Sequence, residues 1–164
     1  ALCDLGVDVI IGGHPHVVQP VELLTSTLDE NQKTVCLYSM GNAVSNQRLG
    51  NISYVKTAHT EDGVLFSVTF TRYSDGTVIL EDADCLPTWV NLRTNPDTGR
   101  REYNILPLDK QIEDWKQLGL TDATLASAQA SYDRTMAIVG DGMTAVDAYL
   151  DANQTAVEEA LGVK

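Results

Sequence analysis

Residues 63–80, GVLFSVTFTRYSDGTVIL, decide the fold class, because they join a strand-like alternation to a turn signal. One face of the extended chain takes four alternate apolar residues: Val64, Phe66, Val68 and Phe70. Asp75-Gly76 then favours the positive φ angles of a tight reversal, and the chain returns at Thr77 to Leu80. The stretch therefore predicts a β-hairpin with one buried face.

Apolar runs on both sides of this hairpin predict further strands. Gly6 to Ile11 is a β-branched run that stops at Gly12-Gly13. Val17 to Leu24 and Thr34 to Met40 predict a second hairpin with a long polar connection, and two more strands follow the first hairpin: Thr88 to Leu92 and Glu102 to Leu106, joined by a turn over residues 95–99.

After Pro107 the apolar period lengthens to about 3.6 residues, which indicates helices. Three are predicted, over Lys110 to Leu118, Asp122 to Val139 and Ala145 to Leu161, with Asp141 in a turn between the last two. The sequence thus predicts an α/β fold with mixed sheets and hairpins. We expect residues 1–108 to form one part and residues 109–164 a helical extension packed on it.

Charge and composition exclude several classes of protein. The 164 residues include 11 Lys+Arg and 23 Asp+Glu, so the formal net charge is −12, and a surface this acidic repels nucleic acid. No apolar run approaches the roughly 20 residues of a membrane span, and no segment resembles a signal peptide. The three cysteines are far apart and odd in number, which favours buried free thiols over a disulfide framework or a zinc knuckle.

The segment Gly12-Gly13-His14-Pro15-His16 is the strongest candidate for chemistry. Side chains two residues apart point to the same side of an extended chain, and Pro15 favours extended backbone at His14. Neutral imidazole is a common ligand of Zn, Mn and Fe, so a metal site is one interpretation. A hydrogen-bonded turn is the other, because two ligands do not complete a coordination sphere of four to six.

Three stretches in order, GVDVIIGGHPHVVQPVELL, LYSMGNAVSNQ and TEDGVLFSVTF, resemble the C-terminal half of bacterial CapA-type proteins, the capsule or poly-γ-glutamate biosynthesis family. That family is similar to the calcineurin-like metallophosphoesterases. The resemblance covers roughly residues 1–108, and it implies the C-terminal portion of a calcineurin-like sandwich.

The resemblance also implies roles for particular residues. Gly13-His14-Pro15-His16 matches a motif whose histidines are metal ligands in the wider superfamily, so His14 and His16 are the expected ligands. Tyr38-Ser39-Met40-Gly41-Asn42 and Thr60-Glu61-Asp62-Gly63 match two further motifs. They imply that Asn42 and Glu61 orient substrate or water. The structural alternatives are that Asn42 occupies a left-handed turn and that Glu61 is a solvated carboxylate. From the residues alone, His59 is an acid/base catalyst, a third ligand or an ordinary surface residue.

Departures from the family pattern bear on activity. Ala43 stands where an aromatic residue usually follows Gly-Asn, and the frequent Asp-Gln pair is Asn46-Gln47. The superfamily's N-terminal ligand motifs have no counterpart in these residues. Because the chain begins at Ala1, with Leu2 to Leu5 like the last turn of a helix, we expect either a piece of a longer protein or a lost metal centre.

Two functions from different classes follow. The first is a metal-dependent hydrolase site in the full-length protein, with two divalent ions (Mn, Fe or Zn), which this piece alone would neither retain nor use for turnover. The second is a non-catalytic module that binds or anchors an anionic cell-surface polymer. The family further implies an extracytoplasmic or membrane-associated location through an upstream anchor. The expected partners are the polymer or its precursor and the N-terminal half of the same protein.

Overall fold

This computed structural model describes residues 2–109, 116 and 120–162. Its described part contains two three-stranded sheets and one long helix, which confirms the α/β class. The helix predicted at Lys110 to Leu118 lies outside the described residues, apart from Lys116, which is helical. Within the described part, no helix combines the length and the apolar content that a membrane crossing needs.

The first sheet is mixed, as predicted. Its strands are β1 (Val9–Ile11), β2 (Val21–Thr25) and β3 (Lys33–Leu37), in the order β1-β3-β2. β1 runs parallel to β3, and β2 runs antiparallel to it. The parallel pairing means that β1 and β3 end at the same edge of the sheet, so the segments that follow them leave side by side.

The second sheet is an antiparallel meander of β4 (Asp62–Arg72), β5 (Val78–Thr94) and β6 (Arg101–Pro107). The predicted hairpin at Asp75-Gly76 is confirmed. The strands predicted at Thr77 to Leu80 and Thr88 to Leu92 are one strand, however, because β5 pairs with β4 along its first part and with β6 along its second. Cross-strand pairing on both sides overrides the weak strand preference of the intervening residues.

Phe70 is not buried with the other apolar residues of β4. The register shifts between Thr69 and Phe70, and Phe70 is 48% exposed. The extra residue of this bulge is Glu81 on β5, since Thr69 pairs with Asp82 and Phe70 with Leu80, so the strand pair bends at the point beyond which Phe70 is exposed. The predicted alternation is therefore correct for Val64, Phe66 and Val68 only.

The two predicted helices after residue 121 are one helix, α1 (Asp122–Leu161), so the predicted turn at Asp141 is wrong. Its ends agree with prediction: the Thr121 hydroxyl caps the N-terminus by accepting from the Thr124 N–H at 3.3 Å, and Gly162 ends the helix at φ 65°. Gly140 and Gly142 resemble a helix stop, but Gly142 faces the backbone of β2. A Cβ at Gly142 would lie 1.9 Å from the carbonyl oxygen of Val21. That glycine serves close packing.

Two hydrophobic clusters form the core, and α1 contributes to both. The larger cluster joins the two sheets to the second half of the helix through Val139, Met143, Val146 and Leu150. The smaller cluster lies under the first helical turns: Trp89, Leu106, Leu108, Leu125 and Ala128. All three cysteines are buried and free, as predicted.

Candidate functional site

The loop after β1 carries both candidate histidines and lies beside the segment after β3. Gly12 donates a hydrogen bond to the Leu37 carbonyl at 2.7 Å and accepts one from the Met40 N–H at 3.2 Å. A Cβ at Gly12 would lie 2.1 Å from the carbonyl oxygen of Tyr38, so only glycine fits this approach. The parallel pairing of β1 with β3 and the close approach at Gly12 bring the segment after β1 beside the segment after β3. His16 lies on the first segment and Asn42 on the second, so the two residues are neighbours.

The backbone of the histidine loop is not extended, and that expectation was wrong. His14 has φ 101° and His16 has φ 61°, both in the left-handed region that non-glycine residues rarely enter. Each such residue costs on the order of 1–3 kcal/mol unless its surroundings hold it there. Because the backbone is not extended, the two-residue alternation no longer places both rings on one side, although both histidines are exposed.

Asn42 holds this loop in place. Its side chain is buried, at 7% exposure, and its Nδ2 group donates to the carbonyls of His16 at 3.1 Å and Thr60 at 2.9 Å. Its Oδ1 lies 2.8 Å from Nδ1 of His16. The two carbonyls fix the amide orientation, because the flipped amide would set its oxygen against both of them. The left-handed residue beside it is Gly41, at φ 71°, and not Asn42.

The Asn42 amide also fixes the tautomer of His16. Because Asn42 Oδ1 is an acceptor, Nδ1 of His16 carries the proton, and the lone pair of the neutral ring is on Nε2. Metal-binding histidines commonly donate one ring N–H to an oxygen in this way, which leaves the other nitrogen to bind the metal. His16 is therefore the better prepared of the two histidines for a ligand.

We expect NMR correlations between the imidazole nitrogens and carbon-bound ring protons to show the neutral His16 ring protonated at Nδ1. Asn42→Ala should remove this preference and destabilise the fold by about 1–3 kcal/mol, because it leaves the carbonyls of His16 and Thr60 without the donor of the buried Asn42 amide. Asn51→Ala is the matched control at an exposed asparagine and should change stability by less than about 0.5 kcal/mol. A neutral His16 ring protonated at Nε2 would contradict the assignment.

The described residues do not by themselves fit a metal ion. Nowhere in residues 2–109, 116 and 120–162 do three His, Cys, Asp or Glu side chains come together as ligands. His59 lies half-buried in the 3₁₀ turn Ala58–Glu61 and does not form a third ligand with His14 and His16.

Glu61 is buried in an ion pair. Its side chain accepts from the Leu49 N–H at 3.1 Å, from Trp89 Nε1 at 3.3 Å and from Arg48 Nη2 at 2.6 Å. The Arg48 guanidinium also lies 5.7 Å from the centre of the Trp89 ring and donates to the Val90 carbonyl. The alternative of a solvated carboxylate is thus wrong, because these contacts use both oxygens of Glu61 to fasten the loop before it to β5.

Asp62 and Arg134 form a second buried contact, which the sequence did not reveal. Arg134 donates to both carboxylate oxygens of Asp62, from Nε at 2.9 Å and from Nη2 at 2.7 Å, and Ser131 donates at 2.6 Å. Asp62 is 2% exposed. The one available signal was that Ser131 and Thr135 continue the three- and four-residue spacing of the buried helix face. This contact ties α1 to the strand that begins beside Asn42.

Comparison with known proteins finds similarity to one family over the first 47 residues of the chain. Residues 1–47 match the family model described as "Bacterial capsule synthesis protein PGA_cap". The chain is also similar to the "PGA biosynthesis protein CapA" of Bacillus subtilis (strain 168), with 43% identity over 47 residues. That alignment covers 29% of this chain and only 10% of the relative. No solved structure matches.

These matches confirm the resemblance to CapA-type capsule biosynthesis proteins over residues 1–47, a range that contains His14, His16 and Asn42. They stop short of Glu61. The resemblance of residues 48–108 and the calcineurin-like identity of the fold stay predictions.

Proposed function

We propose that this chain contributes two histidine ligands to a metal-dependent hydrolase site of the phosphoesterase type, in a capsule or poly-γ-glutamate biosynthesis-type protein. The observation that carries the proposal is the Asn42–His16 hydrogen bond of 2.8 Å, which leaves Nε2 as the unprotonated nitrogen of the neutral His16 ring in a strained, exposed loop. Backbone strain held by buried contacts is common at functional sites. The match to the capsule synthesis family includes all of these residues.

The site residues have different roles in the proposed centre. His14 and His16 are the ligands. Asn42 positions the His16 ring. Glu61 holds the loop that carries Arg48 against Trp89. Neither Asn42 nor Glu61 needs to contact the reacting atoms in these roles. Too few ligands occur in the described residues, and polypeptide outside this chain supplies the others. Bound divalent ions would supply Lewis-acid stabilisation and an activated water.

The proposed location and partners are inferred from the resemblance to the capsule synthesis family. An anionic cell-surface polymer or its precursor is the substrate, the N-terminal half of the same protein completes the site, and the protein acts outside the cytoplasm on an upstream anchor. The acidic surface of the chain, with a formal net charge of −12, is unfavourable for nucleic acid.

The test is metal analysis of the full-length protein from which this chain comes. We expect stoichiometric Mn, Fe or Zn that falls sharply in a His14→Ala/His16→Ala double variant, because two ligands of the centre are then lost. His59→Ala is the matched control and should keep the metal. The 164-residue chain alone should retain little metal and show no turnover.

Two results would contradict the proposal. Robust hydrolysis by the 164-residue chain would show that the missing ligands are not needed. Absence of both metal and phosphodiesterase activity from the full-length protein would replace the hydrolase with the alternative, a non-catalytic module that binds an anionic polymer.

A further inference from the structure

A cleft of about 380 Å³ opens where α1 begins beside the second sheet. It is lined by a cross-strand pair, Asn91 on β5 and Asn104 on β6, and by Thr121 and Thr124 at the start of the helix. We call it the Asn91 cleft. It contains none of the residues of the proposed metal site.

The register of β5 and β6 explains why this cleft is polar. Trp89 pairs with Leu106, and two residues further along β5, Asn91 pairs with Asn104. Residues two apart share a face of a strand, so both pairs lie on the same face of the sheet. Leu125 of α1 packs with the first pair in the smaller cluster. The asparagine pair lies at the start of the helix, where helical side chains no longer fill the space above the sheet.

The two asparagine side chains lack the partners that buried amides need. Asn91 is 7% exposed, and its carboxamide makes no hydrogen bond within the described part of the chain. Asn104 Oδ1 is also buried without a hydrogen-bond partner there. A buried polar group without a hydrogen bond destabilises the folded state, and a ligand that supplied the missing groups would remove that cost. The pair therefore marks this cleft as a binding site.

The chemistry of the asparagine pair selects the edge of a nitrogen heterocycle. Opposite residues on antiparallel strands have Cβ atoms about 5 Å apart, so both carboxamides reach one ligand. Asn104 Oδ1 needs a donor, and the Asn91 carboxamide offers both a donor and an acceptor. An exocyclic amino group beside a ring nitrogen satisfies both residues. Adenine has this edge, and asparagine recognises it in nucleic acids.

The rest of the lining suits a flat, neutral ring. Leu92, Leu106 and Leu120 contribute apolar side chains of the kind on which a base packs. No Asp or Glu is among the described residues that line the cleft, and its arginine, Arg93, is already paired with Glu102 at 2.8 Å. Because a base is neutral, the formal net charge of −12 does not oppose its binding.

We propose that the Asn91 cleft binds the adenine base of a nucleoside or nucleotide. Asn91 and Asn104 form hydrogen bonds to its amino group and the adjacent ring nitrogen, and the leucine side chains pack against the ring. This site is separate from the proposed metal centre and does not depend on it.

The test is an NMR titration of the 164-residue chain with adenosine. We expect saturable shifts of the backbone and side-chain amide signals of Asn91 and Asn104. Asn91→Leu should weaken adenosine binding about tenfold, because one side of the hydrogen-bonded edge is lost. The same variant should melt at the same temperature as the parent or higher, since an apolar group of similar shape replaces an unpaired buried amide.

Asn153→Leu is the matched control, at an asparagine of α1 outside the cleft, and should leave adenosine binding unchanged. A parallel titration with AMP distinguishes the two sources of the base. Tighter binding of AMP than of adenosine would identify the occupant as a nucleotide, and weaker binding would identify it as a nucleoside.

Three outcomes would overturn the inference. The first is the absence of saturable shifts with adenosine, or equal binding of adenosine by the parent and by Asn91→Leu. The second is equal binding of 6-dimethylaminopurine riboside, which lacks the N–H donors of the amino group. The third is a large loss of stability in Asn91→Leu, which would show that the Asn91 amide has a partner within the protein.

Discussion

Gly142→Ala should destabilise the protein by about 3 kcal/mol or more. The added Cβ would lie 1.9 Å from the carbonyl oxygen of Val21 and 2.7 Å from its carbonyl carbon, and backbone atoms cannot move aside as a flexible side chain can. The helix and β2 must therefore separate, which loosens the contacts of Met143 and Val146 in the larger cluster. Urea denaturation followed by circular dichroism measures the loss.

Gly140→Ala is the matched control, two residues away on the same helix. The nearest atom to an added Cβ there is Met136 Cε at 3.7 Å, an ordinary contact. Alanine is favoured over glycine inside a helix by about 1 kcal/mol, so this variant should be slightly more stable than the parent. Equal effects of the two substitutions would show that the helix does not pack on β2 as described.

Arg134→Met should cost about 3–5 kcal/mol, because it leaves the charge of Asp62 buried without its partner. Asp62 is 2% exposed, and Arg134 makes two of its three side-chain hydrogen bonds. A smaller loss is expected for the double variant Asp62→Asn/Arg134→Met than for Arg134→Met alone, since the double variant removes the uncompensated charge as well. Both are measured by the same urea denaturation.

The control for this pair is Arg93→Met. Arg93 pairs with Glu102 at 2.8 Å, but its side chain is 58% exposed, so solvent screens the interaction. Exposed pairs contribute about 0–1 kcal/mol. If Arg134→Met cost no more than Arg93→Met, the buried contact between α1 and β4 would be energetically unimportant.

The parts of the fold that sequence predicts are those set by local chemistry. The Asp75-Gly76 hairpin and the two ends of α1 each depend on residues within a few positions of one another. The continuity of α1 through residues 140–142 could not be predicted. In a sequence, a glycine that ends a helix cannot be distinguished from a glycine that allows close helix packing, and only the position of Val21 next to Gly142 shows which one it is. The bulge at Phe70 likewise depends on its partner strand.

The candidate site shows the same division. The order of strand, glycine and histidine predicts a loop after a strand, and the motif resemblance predicts that Asn42 follows a neighbouring strand; the structure agrees with both positions. The left-handed backbone of His14 does not follow from the local preference that Pro15 imposes, because the loop is also held at Gly12 and His16 by hydrogen bonds to distant residues. Asp62 and Arg134 are 72 residues apart, and at that separation no periodic pattern in the sequence can predict that two side chains are in contact.

The 40-residue helix has a consequence for how the molecule comes apart. At about 1.5 Å per residue it is roughly 60 Å long, and it contributes buried side chains to both hydrophobic clusters. Because one helix packs in both clusters, separation of the helix from one sheet also disturbs its packing on the other sheet. We therefore expect the two sheets to melt together, as a single cooperative unit, with only the last turns beyond Leu150 free to fray beforehand.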